Sequence, residues 1–198
     1  MSMFPARTIE PMLAKFAKVQ SGTTLLEVLV TLVILAIGLL GLAGLQARLQ
    51  ASEMEAYQRA QALILLNDMA SRIATNRTNA ASYVTGAGAP LVGGSCPTSS
   101  VTRQQADASE WCLALEGAGE TDSAGNNVGA MVGGRGCVEP LPGNEYLITV
   151  AWQGLSPLSA PPASVACGQG QYNGGGGCIN DQCRRTVTTV VRIGNLAS

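Results

Sequence analysis

From Leu25 to Leu45 the chain offers 21 residues whose only charge is Glu27, and this run constrains everything else. As a helix rising about 1.5 Å per residue it covers about 30 Å, the hydrocarbon thickness of a bilayer. Arg7, Lys15 and Lys18 precede it, which keeps the N-terminus cytoplasmic by the positive-inside rule. All six cysteines, Cys96, Cys112, Cys137, Cys167, Cys178 and Cys183, lie beyond it. An even set confined to a Gly-rich region reads as a disulfide framework in an oxidising compartment, with free or metal-bound thiols as the other reading. Charge and cysteine placement therefore agree on orientation independently. An ordinary secretory signal is the competing reading of the run. It would put a small-residue cleavage site after the apolar core, but the run is long for such a core and a helical pattern continues past it.

Glu27 sits just inside the apolar run. A carboxylate there is costly unless it snorkels to the headgroups or meets a cation. Cleavage after Gly22 exposes a new α-amino group at Thr23, four residues before Glu27. In a stack of staggered helices the Glu27 carboxylate of one subunit can meet the Thr23 ammonium of the next. Such a pair selects register, because a misplaced neighbour leaves a charge unpaired in hydrocarbon.

The segment Gly22-Thr23-Thr24-Leu25-Leu26-Glu27-Val28-Leu29-Val30 resembles the class III signal of type IV prepilins. The resemblance implies that a prepilin peptidase cuts after Gly22 on the cytoplasmic side and N-methylates Thr23, and that Glu27, at the fifth mature position, drives assembly. Thr23 departs from the Phe usual in that family. Further on, Ala56-Tyr57-Gln58-Arg59-Ala60-Gln61-Ala62, Asn67-Asp68-Met69-Ala70-Ser71-Arg72 and Asn76-Arg77 resemble the PilV family of minor pilins. As plain composition the same residues describe a solvated helix with one buried face. The resemblance implies a non-enzymatic structural subunit that primes pilus assembly, with no cofactor. Its partners are other minor pilins, the major pilin, the prepilin peptidase, the inner-membrane assembly platform and membrane lipid. It implies a single-pass inner-membrane protein with a periplasmic C-terminal domain that can enter the extracellular pilus. A type II secretion pseudopilin shares the same leader, and a pilus-tip adhesin using the C-terminal loops is a further alternative.

The expected fold is α+β: the type IV pilin arrangement of a long N-terminal helix packed on a small antiparallel β-sheet with disulfide-bonded loops. Residues 1–22 are the leader, 23–45 the transmembrane half of the helix, 46–77 its amphipathic half and 78–198 the globular domain. No proline occurs from Met12 to Ala89, so one helix is expected from about Thr24 to about Asn76. Ala62, Leu66, Met69 and Ile73 recur at helical spacing as a core face. Glu55–Arg59 and Asp68–Arg72 are acid-first i,i+4 pairs. Gly38, Gly41 and Gly44 suit close helix packing in the membrane or local unwinding.

Residues 78–100 and 118–136 read as Gly-rich connections. Between them Ala108, Trp111, Cys112 and Leu115 mark a short helix. Tyr146, Ile148, Val150 and Trp152 form one alternating strand face, and Val187, Thr189, Val191 and Ile193 another. A third, short strand is expected around Gly136 to Glu139. Spacing leaves the disulfide connectivity open. The expectation carried forward is Cys112–Cys137, Cys167–Cys183 and Cys96–Cys178. The segment Cys167 to Cys183 resembles the C-terminal disulfide loop of many pilins, or is a local staple.

The remaining chemistry is sparse. With no His, Ser–His and Cys–His nucleophiles and imidazole acid–base work are excluded. Beyond Gly22, nine arginines against twelve acidic residues give a formal −3. No basic stripe supports nucleic-acid binding. Gly174 to Gly177 lack the strand–loop–helix setting of a phosphate cradle. Asp122, Asn126 and Asn127 do not match an EF-hand loop, and no metal site is expected. Glu53 and Glu55 read as exposed helix residues rather than a catalytic carboxylate pair.

Overall fold

The computed structural model describes residues 22, 24–118, 121–125, 129, 131–174 and 177–194. The chain divides into two units, Met1–Leu45 and Gln46–Ser198. Helix α1, Leu25–Thr75, begins in the first and ends in the second. Its observed limits lie within one residue of those expected at either end.

In the first unit every described residue of α1 is exposed. The helix is long and apolar enough to cross a membrane, with a mean hydropathy of 2.8 in its most apolar window. The one hydroxyl inside it, Thr31, donates to the Val28 carbonyl at 2.8 Å and so is satisfied within its own turn.

In the second unit α1 buries Gln58, Ala62, Leu66, Met69 and Ile73. This is the expected stripe with one polar residue added. A four-stranded antiparallel sheet of order β1-β2-β3-β4 lies with them in one core, its strands being Leu91–Val92, Val132–Leu141, Glu145–Gln153 and Arg184–Arg192. On β3 the alternate residues Tyr146, Ile148, Val150 and Trp152 enter this core, together with Val138 of β2 and Val187 of β4. The register matches: Val138 opposes Ile148, and Val150 opposes Val187. Helix α2, Arg103–Leu115, starts at a Thr102–Gln105 capping box and buries Ala108, Trp111, Cys112 and Leu115. The Trp111 indole N–H donates to the Leu65 carbonyl at 2.8 Å, fastening α2 to α1.

Three expectations need correction. The 78–100 connection is not plain loop: a 3₁₀ helix, Arg77–Tyr83, puts Ala80 and Tyr83 into the core, and β1 follows. The third strand is ten residues long rather than four. Its Gly134 and Gly136 lie beneath α2. A Cβ on Gly136 would collide with the Trp111 ring and Leu115, and one on Gly134 with the Leu115 carbonyl. Glycine there admits the helix, so a strand under a helix reads as loop composition.

The disulfides are Cys96–Cys112, Cys137–Cys167 and Cys178–Cys183. All six cysteines pair, and none of the three expected pairings forms. The physical reason is facing. Gly136 faces Trp111 on the α2 side, so the next residue, Cys137, points to the opposite side of the sheet and cannot reach Cys112. On that opposite side Cys137, Ala151, Cys167 and Tyr172 form a second small core. The segment between β3 and β4 thus covers the outer face of the sheet.

Candidate assembly site at the start of the long helix

Gly22 is exposed, with open space among the described residues where a side chain would stand. Thr23, the expected cleaved and methylated residue, lies outside the described residues. Thr24 precedes the helix, and its Oγ1 accepts from the Glu27 N–H at 3.3 Å while its carbonyl accepts from the same N–H at 3.0 Å and from Val28 N–H at 3.2 Å. Thr24 therefore caps α1. This role was missed above, although Thr24-Leu25-Leu26-Glu27 has the T-x-x-E spacing of a capping box.

Glu27 is in the first turn of α1 and exposed. The unsatisfied N–H groups of a helix start favour an anion there, which moderates the cost of a carboxylate at the edge of the apolar run. None of the ion pairs among the described residues includes Glu27. Gly22, Thr24 and Glu27 thus lie within six residues of sequence, at one end of an apolar surface that the first unit leaves uncovered. Gly38, Gly41 and Gly44 likewise have nothing within 4 Å of a notional Cβ, so no packing within the described residues demands glycine at these positions.

In the second unit one cluster of charged residues ties α1, α2 and the 3₁₀ helix together. Asp68–Arg72 forms as expected at 2.9 Å, but Arg72 also reaches Asp107 at 2.9 Å and Glu110 at 2.7 Å. Asp107 is 1% exposed. It further accepts from Arg103 Nε at 3.1 Å and from the Tyr83 hydroxyl at 2.5 Å. Partial burial works against the Arg72 charge, yet the hydrogen bonds to Glu110, Asp68 and Asp107 raise its pKa further. Burial first, then the hydrogen bond to Asp107, raises that of Tyr83. The other expected pair does not form. Glu55 instead accepts from Arg185 of β4 at 3.2 Å and from the Leu155 N–H at 3.1 Å. A long-range cation and a backbone donor thus displace the neighbour Arg59, and Glu55 is half-buried rather than exposed.

Asp122 closes its own turn, its Oδ1 accepting from the Ala124 N–H at 2.9 Å. Asn126 and Asn127 lie outside the described residues, as do Gly175 and Gly176 of the glycine run. No metal-holding cluster of acidic or sulfur ligands occurs among the described residues.

Residues 17–43 match the family model described as the prokaryotic N-terminal methylation motif. The match spans the five residues before Gly22, then Gly22, Thr24, Glu27 and most of the apolar run, and it stops inside α1. No curated protein and no solved structure matches the chain. The chain therefore carries a type IV pilin-like prepilin signal, of the kind shared by pilins and pseudopilins.

Proposed function

We propose that this chain is a minor pilin resembling PilV, a non-enzymatic subunit of the complex that primes type IV pilus assembly. The observation that carries the proposal is the placement of Glu27. It lies inside the methylation-motif match, in the first turn of a capped helix, with an uncovered apolar surface running away from it. On this reading a prepilin peptidase removes residues 1–22 and methylates Thr23. The apolar half of α1 holds the protein in the inner membrane as a single pass, with the disulfide-bonded unit in the periplasm. The Thr23 ammonium of one subunit meets the Glu27 carboxylate of its neighbour as helices of minor and major pilins pack on the assembly platform.

Mass spectrometry of the mature protein tests the processing step. The expected N-terminus is methylated Thr23, and an intact leader or a cut beyond residue 45 overturns the reading. Glu27→Val tests the assembly step. The variant is expected to be processed normally yet enter filaments and the minor-pilin complex at least tenfold less. Unchanged incorporation would remove the electrostatic-register argument. The motif match supports a type II secretion pseudopilin equally well. Deletion separates the two, since loss of twitching motility with intact secretion fits the pilus and the converse fits secretion.

A further inference from the structure

Four described arginines are not fully exposed: Arg72, Arg135, Arg184 and Arg185. Three of them have carboxylates, in Asp68, Asp107 and Glu110 for Arg72, Asp181 for Arg184, and Glu55 for Arg185. Arg135 has none among the described residues. Its guanidinium lies over the Tyr172 ring, 5.5 Å from the centroid, and its Nε is buried without an acceptor. A cation over an aromatic face is stabilised only weakly compared with a carboxylate pair. Tyr172 does not supply the missing charge either. Burial raises its pKa despite the opposing influence of Arg135, and its hydroxyl donates to the Gly133 carbonyl at 2.8 Å. The phenol is therefore neutral at ordinary pH.

Arg135 lines a groove of about 490 Å³ between the segment before β1 and the segment that follows Cys167. That volume is within the range of small-ligand sites. Pro90 and Val92 line it on one side, and Gly168, Gln169 and Gln171 on the other. Each glutamine amide offers both a donor and an acceptor, which matches hydroxyl groups that also do both. The Cys137–Cys167 bond joins the strand that carries Arg135 to the segment that carries the glutamines, so the arginine and the glutamine wall are covalently held together. An arginine left without a counter-ion, facing a preformed polar groove, is a site for an anion brought from outside.

We propose that this groove binds a small carboxylated sugar, its carboxylate against Arg135 and its hydroxyls against the amides of Gln169 and Gln171. The proposal is independent of the pilin reading, since it uses only residues of the second unit.

The test uses the full-length chain in a sugar-free polyoxyethylene detergent, with sodium galacturonate as probe and saturation-transfer NMR plus calorimetry as readouts. Galacturonate is expected to bind, and its methyl ester and galactose to bind at least tenfold more weakly. Arg135→Gln is expected to lower galacturonate affinity at least tenfold with all three disulfides and the thermal midpoint retained. Equal binding of acid and ester by the unmodified protein overturns the proposal. So does undiminished binding by a folded Arg135→Gln. If that variant does not fold, the acid–ester comparison decides alone. Cyclohexanecarboxylate, a monocarboxylate ring without hydroxyls, is expected to bind several-fold more weakly, and binding equal to galacturonate overturns the sugar assignment.

Discussion

Asp107→Asn is the substitution that best probes how α1, α2 and the 3₁₀ helix are locked together. Asp107 Oδ1 accepts from Arg72 and Arg103 while Oδ2 accepts from Tyr83. Asparagine keeps the shape but replaces one acceptor by a donor. If its carbonyl faces the arginines, its amide N–H meets a Tyr83 hydroxyl that already accepts from Asn76 Nδ2 at 3.0 Å. If it is turned over, the amide faces two guanidinium groups. Either orientation leaves a donor against a donor.

The magnitude follows from what the arginines keep. The Arg103 side chain is 74% exposed, so its pair with Asp107 is worth about 0–1 kcal/mol. Arg72 retains Asp68 and Glu110. Neither becomes an uncompensated buried charge, so the full cost of a broken buried pair, about 3–5 kcal/mol, is an upper bound. A charge-assisted hydrogen bond lost and a buried donor left unsatisfied are worth about 1–3 kcal/mol each, which gives an expected loss of about 3 kcal/mol. Urea unfolding of the full-length chain in micelles, followed by the fluorescence of buried Trp111 and Trp152, measures this at pH 7. The transition midpoint should fall at constant slope. Double-mutant cycles should give a larger coupling of Asp107 to Tyr83 than to Arg103. A loss below about 1 kcal/mol, or an Arg103 coupling that equals the Tyr83 coupling, refutes the reasoning.

Alkaline stability follows from the same junction. A phenol whose folded pKa is raised contributes stability that is complete below its unfolded value of 10.0 and is lost as pH rises through the folded value. Unfolding midpoints should fall with pH above 10, less steeply in Tyr83→Phe and Tyr172→Phe, and an unchanged slope in both variants contradicts the assignment. Replacing each cysteine pair by alanine should cost about 3.6 kcal/mol for Cys137–Cys167, about 3.1 for Cys96–Cys112 and about 2.1 for Cys178–Cys183 on chain entropy alone, from separations of 30, 16 and 5. Denaturant titration of the three double variants checks that order. Gly136→Ala should destabilise by about 1–3 kcal/mol through overpacking against Trp111, and a neutral result in the same assay would show that α2 can shift away.

What the sequence reveals depends on whether one element or two determine a residue. The α1 stripe Ala62, Leu66, Met69 and Ile73, the α2 set ending at Leu115, and the β3 face from Tyr146 to Trp152 each repeat with their own element's period, and all are legible. Strand β2 is not, because Gly134 and Gly136 answer to α2 lying across them. Disulfide connectivity is hidden for the same reason, since it depends on which side of β2 Cys137 faces. Glu55 takes Arg185, 130 residues away, in preference to Arg59 on its own helix. At the candidate assembly site the motif match covers Gly22 and Glu27, the two residues singled out in the sequence, and Thr24 was legible through its capping pattern. Arg135 carries no local signal at all. Its significance is the absence of a carboxylate partner among the described residues, which only the fold can show.

The two units differ in how completely each satisfies itself, and this contrast locates function. In the second unit the sheet carries a buried cluster on each face, α2 is closed by a capping box and all six cysteines are bonded. Most of its large apolar side chains in the sheet and α2 are enclosed by its own elements, and Arg135 is an exception among its half-buried arginines. The first unit is the reverse. Leu25, Leu26, Ile34, Ile37, Leu39 and Leu40 are each more than 60% exposed, far beyond the scattered apolar exposure of a soluble surface. Its stability must come from lipid or from other helices, and α-helical hydrogen bonding makes either environment acceptable to its backbone. Lipid and a helix bundle are both apolar, so transfer between them carries little hydrophobic driving force. Specificity for the bundle then has to come from polar or steric features of the surface. Along the described part of this unit the charged feature is Glu27, and the steric ones are Gly38, Gly41 and Gly44. On the proposed pilin reading, a chain built this way resides in a membrane and still leaves it for the right neighbours.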